Sequence, residues 1–308
     1  MDVHLRDLRY FVAVAEELHF TRAAERLFIS QPALSKQIRL LEEQLRVALL
    51  ERDRRRVRLT AAGEALLPVA RDLVAAWDAA QRAVADAAAE ADAVLRLGFS
   101  TSIGRNLLPR IRSAFAEARP NWRLHLRHVD WDDPSGGLRD GSSDLAIVWL
   151  PVPGIERLAH LVLAEEPRHV ALPNDHPLSA RSEIEFTALL DEPFLALPED
   201  AGALRDYWLA TDYRNGAAAR IGAVVTNPEE TFEALLAGLG VVLLSAGNAR
   251  IYRRPGMTTI PVLGIPPSRL ALLWRSDDHR DAIRDFVRAA ERTVASSDLP
   301  PRGSAEGS

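Results

Sequence analysis

Cysteine is absent from this chain of 308 residues, and lysine occurs once, at Lys36. Without a thiol the chain cannot form a disulfide framework, a thiolate metal site or a cysteine nucleophile. No apolar run is long enough to span a membrane, and the first residues, MDVHLRDLRYF, lack the basic and then apolar layout of a signal peptide. We therefore expect a cytoplasmic protein without a membrane partner.

The motifs of several common enzyme classes are missing as well. The sequence has no G-x-S-x-G, no G-x-G-x-x-G and no phosphate-binding lysine loop. His125 and His128 lie at i and i+3 on a predicted strand, so they point to opposite faces and do not pair as metal ligands. Glu165 and Glu166 are adjacent and diverge in the same way. We expect no catalytic residue, no metal site and no cofactor.

Charge is unevenly distributed along the chain. The net charge is −5, and the hydrophobic and charged contents of 47% and 26% are ordinary for a globular protein. Residues 1–60 hold 12 lysine and arginine residues against 9 aspartate and glutamate residues, whereas the remainder holds 26 against 34. A basic head on an acidic body is typical of a protein that binds nucleic acid at one end only.

The stretch Phe20–Thr60 predicts two short helices with a sharp corner between them. Thr21 is a candidate N-cap for the first helix, and Ser30 is a candidate N-cap for the second, with Pro32 in its first turn. The predicted apolar side of the first helix consists of Ala23, Ala24, Leu27 and Phe28. The predicted buried stripe of the second helix consists of Leu34, Ile38, Leu41 and Leu45.

The opposite face of the second helix carries polar side chains that could reach base edges. Its members are Gln31, Pro32, Ser35, Lys36 and Arg39. Arginine and lysine match guanine acceptors, glutamine matches adenine, and serine suits either. An ordinary amphipathic helix with a solvated polar face has the same pattern, so this face alone does not establish a recognition helix.

An arginine-rich segment, ERDRRRVRLT, follows the second helix. Its arginines surround the apolar Val57, and they are Arg52, Arg54, Arg55, Arg56 and Arg58. A short β-hairpin here would present guanidinium groups to phosphate. A solvated charge run is the alternative, but five arginines with no lysine and only two acids favour a DNA-binding wing.

These residues carry a family resemblance. The segment DLRYFVAVAEELHFTRAAERLFISQPALSKQIRLLEEQL, followed by ERDRRRVRLTAAGEALLP, resembles the winged helix-turn-helix of LysR-type transcriptional regulators without gaps over most of the first 70 residues. The chain departs from the family pattern at LRVALLER, where Arg46 and Leu50 stand in place of the usual glycine and phenylalanine. Arginine at a helix stop that needs a positive φ should cost up to about 1 kcal/mol.

A long helix is predicted from a cap at Thr60 to about Ala91. Its apolar residues recur with a period of 3.5, which favours a coiled-coil seam between two chains over a helix lying on its own domain. The predicted dimerisation residues are Leu66, Leu73, Trp77 and Val84. Pro68 should bend this helix. In LysR-type regulators the linker helices pair in a similar way.

From Val94 onward, predicted strands alternate with predicted helices, which indicates α/β units with parallel strands. The predicted strands are VLRLGFS, NWRLHLRHV, DLAIVWL, PFLALP, RIGAVV, GVVLLS and LALLWR. The predicted helices lie near 104–118, 132–140, 203–212 and 228–238, and a closing helix covers His279–Ala295. The tail SSDLPPRGSAEGS is expected to be disordered.

The resemblance implies an α+β protein with four parts and two regulatory subdomains like those of periplasmic solute-binding proteins. The expected parts are a winged helix-turn-helix over 1–60, a linker and dimerisation helix over 61–92, an effector-binding domain over 93–297, and a disordered tail over 298–308. Subdomain one is expected at 93–162 and 268–296, and subdomain two at 163–267, with crossings near Leu163–Glu166 and Leu263–Pro267.

A ligand cleft is expected between these subdomains. Ser100, Thr101 and Ser102 follow the first predicted strand, where hydroxyls and free N–H groups at a helix start could bind an anion or could simply cap the helix. Thr226 and Asn227 form the corresponding turn in the other subdomain. The resemblance implies that such turns contact the effector.

Two tryptophans complete the predicted effector site. Trp131 follows the second strand and Trp149 ends the third, so both could face a cleft lined by strand ends, although core packing is the commoner role of tryptophan. Relatives that bind small dicarboxylates tend to have a small hydroxyl residue at the position of Trp131, so an aromatic effector is indicated in addition to an anionic one.

We therefore expect a LysR-type, sequence-specific DNA-binding transcriptional regulator that responds to a small anionic or aromatic effector. Its implied partners are double-stranded promoter or operator DNA, the effector, further copies of itself as a homodimer or homotetramer, and RNA polymerase. The alternatives are a small-molecule-binding protein whose head docks onto protein, and a hydrolase or transferase that uses Ser100 or Ser102.

Overall fold

The computed structural model divides the chain into two compact units, Met1–Ala85 and Asp86–Ser308. It describes residues 3–53 and 56–296. The first unit holds the head and most of a long helix, and the second holds the regulatory domain. Within the described residues, no helix combines the length and the apolar character needed to span a membrane.

The head contains three helices followed by a hairpin. Its elements are α1 (Leu5–Glu17), α2 (Phe20–Arg26), α3 (Gln31–Leu45), β1 (Leu50–Asp53) and β2 (Arg56–Leu59). The predicted stripe of α3 is buried at Leu34, Ile38 and Leu41, which pack with Phe11 and Val14 of α1. β1 and β2 are antiparallel, with Leu50 opposite Leu59. The helix-turn-helix and the hairpin that the sequence predicted are therefore present.

The start of α2 differs from the prediction, while the start of α3 agrees with it. The N-cap of α2 is His19, whose ring Nδ1 accepts a hydrogen bond from the backbone N–H of Arg22 at 3.4 Å. Thr21 therefore lies inside the first turn of α2, and its prediction as the cap is wrong. Ser30 caps α3 as predicted, because its hydroxyl accepts from the N–H of Ala33 at 3.4 Å.

Phe28 does not belong to the apolar side of α2, as the sequence had predicted. It lies beyond the end of the helix in the left-handed conformation, with φ 54°. Its side chain is 95% exposed. Its N–H donates to the carbonyl of Glu25, and the N–H of Ile29 donates to that of Ala24, both at 3.0 Å. This pair of bonds is a Schellman motif, which turns the chain away from the helix axis and removes Phe28 from the apolar stripe.

Arg46 ends α3 in the conformation that glycine usually adopts at this point. Its φ is 52°, and its N–H and that of Val47 bond back to the carbonyls of Glu43 and Glu42. The site therefore has the positive φ under which the predicted cost of arginine applies. The carboxylate of Glu42 then accepts from the backbone N–H groups of Leu49 and Leu50 at 2.9 and 3.1 Å, which joins α3 to β1.

The long helix, α4, spans Ala61–Ala91 and includes Pro68. Its start is capped by Thr60, whose hydroxyl accepts from the N–H of Gly63 at 3.0 Å, as the sequence predicted. Leu66 packs against the core of the head. The later members of the predicted seam are exposed: Leu73 by 49%, Trp77 by 51% and Val84 by 72%.

The regulatory domain begins with a mixed sheet. Its strands are β3 (Val94–Phe99), β4 (Arg123–His128), β5 (Leu145–Trp149), β6 (Leu158–Glu166) and β13 (Ser268–Arg275), in the order β4-β3-β5-β13-β6. β3 is parallel to β4 and β5, whereas β13 is antiparallel to β5 and β6. Two helices, α5 (Leu107–Ala118) and α9 (Asp281–Ala295), supply Ile111, Phe115 and Phe286 to its core.

The second subdomain contains two smaller sheets. Its strands are β7 (Arg168–Pro173), β8 (Ile184–Glu185), β9 (Pro193–Ala196), β10 (Arg220–Val224), β11 (Val242–Ser245) and β12 (Met257–Leu263). One sheet has the order β11-β7-β12-β8, and the other pairs β9 with β10 in parallel. Three short helices accompany them: α6 (Ala203–Trp208), α7 (Pro228–Leu236) and α8 (Ala246–Ile251).

The chain crosses between the two subdomains at Pro167 and again at residues 264–267. The second crossing was predicted at Leu263–Pro267. The first was predicted at Leu163–Glu166, and these residues belong to β6, which pairs with β13 as far as the Glu166–Ser268 pair.

The helix predicted near 132–140 is a series of turns. Gly136 and Gly137 both have positive φ, at 64° and 85°. The Asp133 carboxylate accepts from the backbone N–H groups of Ser135 and Gly137 at 3.0 and 2.8 Å. These local bonds hold the backbone in turns and compete with a helix.

Candidate functional site

The exposed front of α3 contains the side chains that the sequence predicted for it. Gln31, Pro32, Lys36 and Arg39 are exposed, and Ser35 is half-buried. The side-chain amide of Gln31 donates to the Ser35 hydroxyl at 2.9 Å. Lys36 and Arg39 form no ion pair with any other described residue. Both cations are thus available to an external partner, while the apolar back of α3 is fixed in the core.

The predicted wing is a β-hairpin next to α3. Arg58 is exposed and lies opposite Glu51, whereas Val57 packs against the head. Arg54 and Arg55 lie outside the described residues. Arg52 and Arg56 lie on β1 and β2, and only their backbone is described. Of the five predicted wing arginines, Arg58 is the one whose side chain is described, and it is exposed.

A cavity of about 70 Å³ lies between the two regulatory subdomains and is partly open to solvent. Both subdomains contribute to its wall, and no formally charged side chain lines it. The lining residues are Ser100, Thr101, Trp131, Trp149, Leu197, Leu204, Trp208, Val225, Pro228, Thr231, Phe232, Val242, Leu243, Leu244, Asn248 and Tyr252. Four of the seven predicted effector residues, Ser100, Thr101, Trp131 and Trp149, are among them.

The two predicted tryptophans are fixed by hydrogen bonds from their indole N–H groups. Trp131 donates to the carbonyl of Ser100 at 3.1 Å, and Trp149 donates to the hydroxyl of Thr101, also at 3.1 Å. Trp149 and Trp208 meet edge to face, with ring centroids 5.8 Å apart. Since their polar atoms are satisfied, the rings give the cavity a rigid apolar wall suited to a flat ligand.

Two further polar groups of the cavity accept hydrogen bonds from the protein. The Tyr252 oxygen accepts from the N–H of Ser102 at 2.7 Å, and the Asn248 Oδ1 accepts from the guanidinium of Arg105 at 3.3 Å. Burial raises the pKa of the Tyr252 phenol, so it keeps its proton. The O–H groups of Thr101 and Tyr252 and the amide N–H groups of Asn248 therefore remain as donors.

A cation beside this cavity is paired. Arg105 donates to both oxygens of Glu166, at 2.6 and 2.7 Å, and its guanidinium lies 5.4 Å from the ring centroid of Trp149. Burial raises the pKa of the Glu166 carboxyl, but the hydrogen bonds and charge of Arg105 outweigh this, so its pKa lies below the usual range. Arg105 also donates to Ser245 at 3.0 Å, which links it to the other subdomain.

The other three predicted effector residues lie beside the cavity. Ser102 uses its N–H on Tyr252. α5 begins only at Leu107, so the predicted arrangement of Ser100–Ser102 at a helix start is not formed. Thr226 donates through its N–H and its hydroxyl to Glu230, at 2.7 and 2.8 Å, and Asn227 caps α7.

Several cavity residues had no signal in the sequence. Trp208 lies on α6, and Asn248 and Tyr252 lie on or next to α8. Both helices have only six residues, too few for a readable period. The pair of Arg105 and Glu166 joins residues 61 positions apart, which spacing alone does not reveal. Among the described residues, no group of three or more His, Cys, Asp and Glu side chains could hold a metal ion.

Comparison with known proteins identifies the two parts of the chain. The model for "Bacterial regulatory helix-turn-helix protein, lysR family" matches residues 5–64, and that for "LysR substrate binding domain" matches residues 88–295. The Hca operon transcriptional activator HcaR of Escherichia coli (strain K12) is 36% identical over 298 residues, covering 96% of this chain and 99% of HcaR. The E. coli (strain K12) DNA-binding transcriptional dual regulator OxyR is 32% identical over 275 residues, covering 89% of this chain and 90% of OxyR.

A solved structure gives the same result. Full-length CbnR complexed with its target DNA is 26% identical and has a TM-score of 0.51, over 95% of this chain and 100% of CbnR. The family models together cover most of the chain, and the curated relatives match along nearly their whole length. The chain therefore belongs to the LysR family of DNA-binding transcriptional regulators, with a helix-turn-helix head and a substrate-binding domain that responds to a small molecule.

Proposed function

We propose that this regulator reads operator DNA with α3, holds the phosphates beside it with the β1–β2 hairpin, and responds to a flat aromatic effector that carries an oxygen acceptor. The observation that carries the effector part is the cavity itself, which combines fixed tryptophan rings with hydroxyl and amide groups that keep hydrogens to donate. The DNA part is supported by the exposed front of α3 and by the likeness to CbnR, which has been solved with its target DNA.

Each predicted DNA-binding residue has a distinct role in this proposal. Gln31, Lys36 and Arg39 read base edges from α3, and Pro32 and Ser35 shape the contact surface. Thr21, exposed in the first turn of α2, positions the head on the backbone. The wing residues Arg52, Arg54, Arg55 and Arg56 bind phosphate without reading sequence.

The DNA roles can be tested with a duplex that the wild-type protein selects from a random library. Binding should weaken steeply as salt rises, because phosphate contacts release counterions. Replacing Arg39 by alanine should reduce discrimination between the selected and a scrambled duplex by about 1–3 kcal/mol. An equal loss of affinity for both duplexes would assign Arg39 to phosphate instead of a base.

The ligand class follows from the polarity of the hydrogen bonds in the cavity. A ligand oxygen can accept from Thr101, Tyr252 and Asn248, each of which already accepts a hydrogen bond from the protein. Arg105 is neutralised by Glu166, and the described residues that line the cavity are uncharged, so a full negative charge would meet neutral donors on the wall. A carbonyl oxygen on an aromatic ring therefore fits the cavity better than a carboxylate does. With no cysteine in the chain, the response does not depend on a thiol.

Four small probes separate these contributions. Acetophenone has both the ring and the acceptor, ethylbenzene lacks the acceptor, cyclohexyl methyl ketone lacks the aromatic ring, and benzoate adds the charge. Titration of the full-length protein, followed by tryptophan fluorescence and calorimetry, should place acetophenone first. Equal binding of ethylbenzene would remove the donor argument, and tighter binding of benzoate would show that the cavity prefers an anion.

Self-association is the third part of the proposal. Leu73, Trp77 and Val84 are exposed along α4 although they are apolar, and a second copy of α4 would bury them. A homodimer or homotetramer would then present two heads to a partly symmetric site.

We propose that effector binding closes the cleft and reorients the paired helices, and that RNA polymerase is the partner that responds to this change. Footprints that keep the same length and bend with and without effector would contradict this mechanism.

A further inference from the structure

Phe28 is the most exposed of the large apolar side chains in the described part of the chain. Its ring is 95% exposed, whereas the next such side chain, Val84, is 72% exposed. Val84 belongs to the proposed seam, so a partner accounts for its exposure. Phe28 was predicted on the apolar side of α2, and it has no part in the proposed base, phosphate, effector or dimer contacts.

The backbone at Phe28 makes its presence more unusual. It occupies the left-handed C′ position of the Schellman motif that ends α2, with φ 54°. Glycine is the usual residue there, because a side chain in this conformation is strained. The backbone of Phe28 is therefore strained, and its ring makes little contact with the described residues that could offset this strain. Strained residues that bring no packing benefit tend to cluster at functional sites.

The position of Phe28 along the chain indicates what its ring meets. It lies at the corner between α2 and α3, just before the cap residue Ser30 and the first residue of α3, Gln31. The first turn of a recognition helix is the part that enters the major groove. Any partner that contacts Gln31 and Pro32 will also lie close to Phe28.

We propose that Phe28 is a DNA-contacting residue whose ring packs against a thymine C5-methyl group and the adjoining deoxyribose at the edge of the site read by α3. Phenylalanine is one of the side chains that make apolar contact with the thymine methyl. This inference rests on the proposed reading of DNA by α3. It adds a preference for thymine, at a position that no polar side chain of α3 would read.

The test uses two matched glycine variants of the full-length protein. Phe28→Gly removes the ring and relieves the strained backbone. Leu18→Gly relieves a similar strain at the end of α1, where Leu18 has φ 47° and is 47% exposed, but it leaves the α2–α3 corner intact. Because both changes suit the local backbone, neither variant should unfold more readily than the wild type.

Affinity is measured by fluorescence anisotropy on a duplex that the wild-type protein selects from a random library. Each thymine of the half-sites is replaced in turn by deoxyuridine, which removes only the methyl group. Phe28→Gly should lower affinity about tenfold while the midpoint of thermal unfolding does not fall. One deoxyuridine position should weaken wild-type binding and leave Phe28→Gly unaffected. Leu18→Gly should bind as the wild type does.

Three other results would overturn the proposal, and each is distinct. If Phe28→Gly binds the selected duplex as tightly as the wild type, the ring does not contact DNA. If Phe28→Gly lowers self-association measured by sedimentation without changing DNA affinity per dimer, the ring belongs to a contact between copies. If every deoxyuridine position weakens both proteins equally, thymine is not read by Phe28. Failure of the wild type to select any duplex would instead refute the proposed DNA reading itself.

Discussion

Replacing Asp144 by asparagine should destabilise the regulatory domain by about 3 kcal/mol. The Asp144 side chain is fully buried and accepts from the backbone and side chain of Arg96 at 2.7 to 3.0 Å, and from Arg280 at 2.7 Å. Asparagine keeps the size of the side chain but removes the charge that both guanidinium groups need. The loss of stability should lie at the lower end of the range for a broken buried ion pair. This is because Arg96 still pairs with Asp86, and Arg280 still pairs with Asp278.

The same carboxylate should make stability depend on pH. Burial raises the pKa of Asp144, but its hydrogen bonds to Arg96 and Arg280 outweigh burial and hold that pKa below the ordinary value. A carboxyl group with a lowered pKa in the folded state stabilises the fold fully when the pH is above its unfolded pKa, near 3.9. This stabilisation is lost as the pH falls through the folded pKa. The Asp144→Asn variant should therefore be less stable than the wild type at neutral pH. Its stability should also fall less steeply than that of the wild type as the pH is lowered.

Urea unfolding followed by tryptophan fluorescence would measure both effects. Five of the six tryptophans lie between Trp122 and Trp274, so a Trp77→Phe background confines the signal to the regulatory domain. Glu229→Gln is a matched control, because Glu229 pairs with Arg254 at 2.7 Å but is 70% exposed, and its loss should change little. A loss below about 1 kcal/mol for Asp144→Asn, with an unchanged acid decline, would show that the buried charge is not needed.

Three further predictions concern other parts of the chain. Arg46→Gly should raise the stability of the head by about 1 kcal/mol, measured by urea unfolding followed by circular dichroism, because glycine adopts the left-handed conformation without strain; a loss would show that the arginine side chain stabilises the turn. Trp77→Glu together with Val84→Glu should weaken self-association at least tenfold in sedimentation experiments, since the proposed seam would then carry facing charges; an unchanged mass would place the interface elsewhere. Trp131→Ala should weaken acetophenone binding by about 1 kcal/mol in calorimetry by removing a ring from the cavity wall; unchanged affinity would place the ligand away from this ring.

The elements with strong local signals could be predicted closely from the sequence. α4 begins and ends where its cap and its apolar period placed it, at Thr60 and Ala91. α3 likewise begins after Ser30 and buries the predicted stripe. In both helices a side-chain cap and a long periodic pattern indicate the same bounds, so local and tertiary preferences agree.

The turns depend on finer details that the sequence showed less clearly. The start of α2 is capped by the ring of His19, whereas Thr21 was predicted as the cap. The helix predicted near 132–140 is broken by two left-handed glycines and by the Asp133 carboxylate. In each case one or two hydrogen bonds decide the local structure, and periodicity does not report them.

The cavity could be predicted from the sequence in part, because the ends of parallel strands meet at one edge of a sheet. Ser100, Thr101, Trp131 and Trp149 lie on the cavity wall for this reason. Tyr252 and Asn248 come from a short helix in the other subdomain, and their donor character depends on hydrogen bonds to Ser102 and Arg105. Only the three-dimensional arrangement shows which acceptors are already in use.

The single lysine of this protein has a practical consequence for its chemistry. Lys36 provides the only side-chain amine in the chain, and it is exposed on the front of α3. Reagents that acylate or biotinylate amines, or that immobilise proteins through them, can modify only this helix and the terminal amine. Such labelling would block the proposed DNA contact while leaving the regulatory domain unmodified. Conversely, protection of the Lys36 amine from acylation would show that DNA is bound to this helix. Cross-linkers that react with lysine would be a poor means of detecting the proposed oligomer.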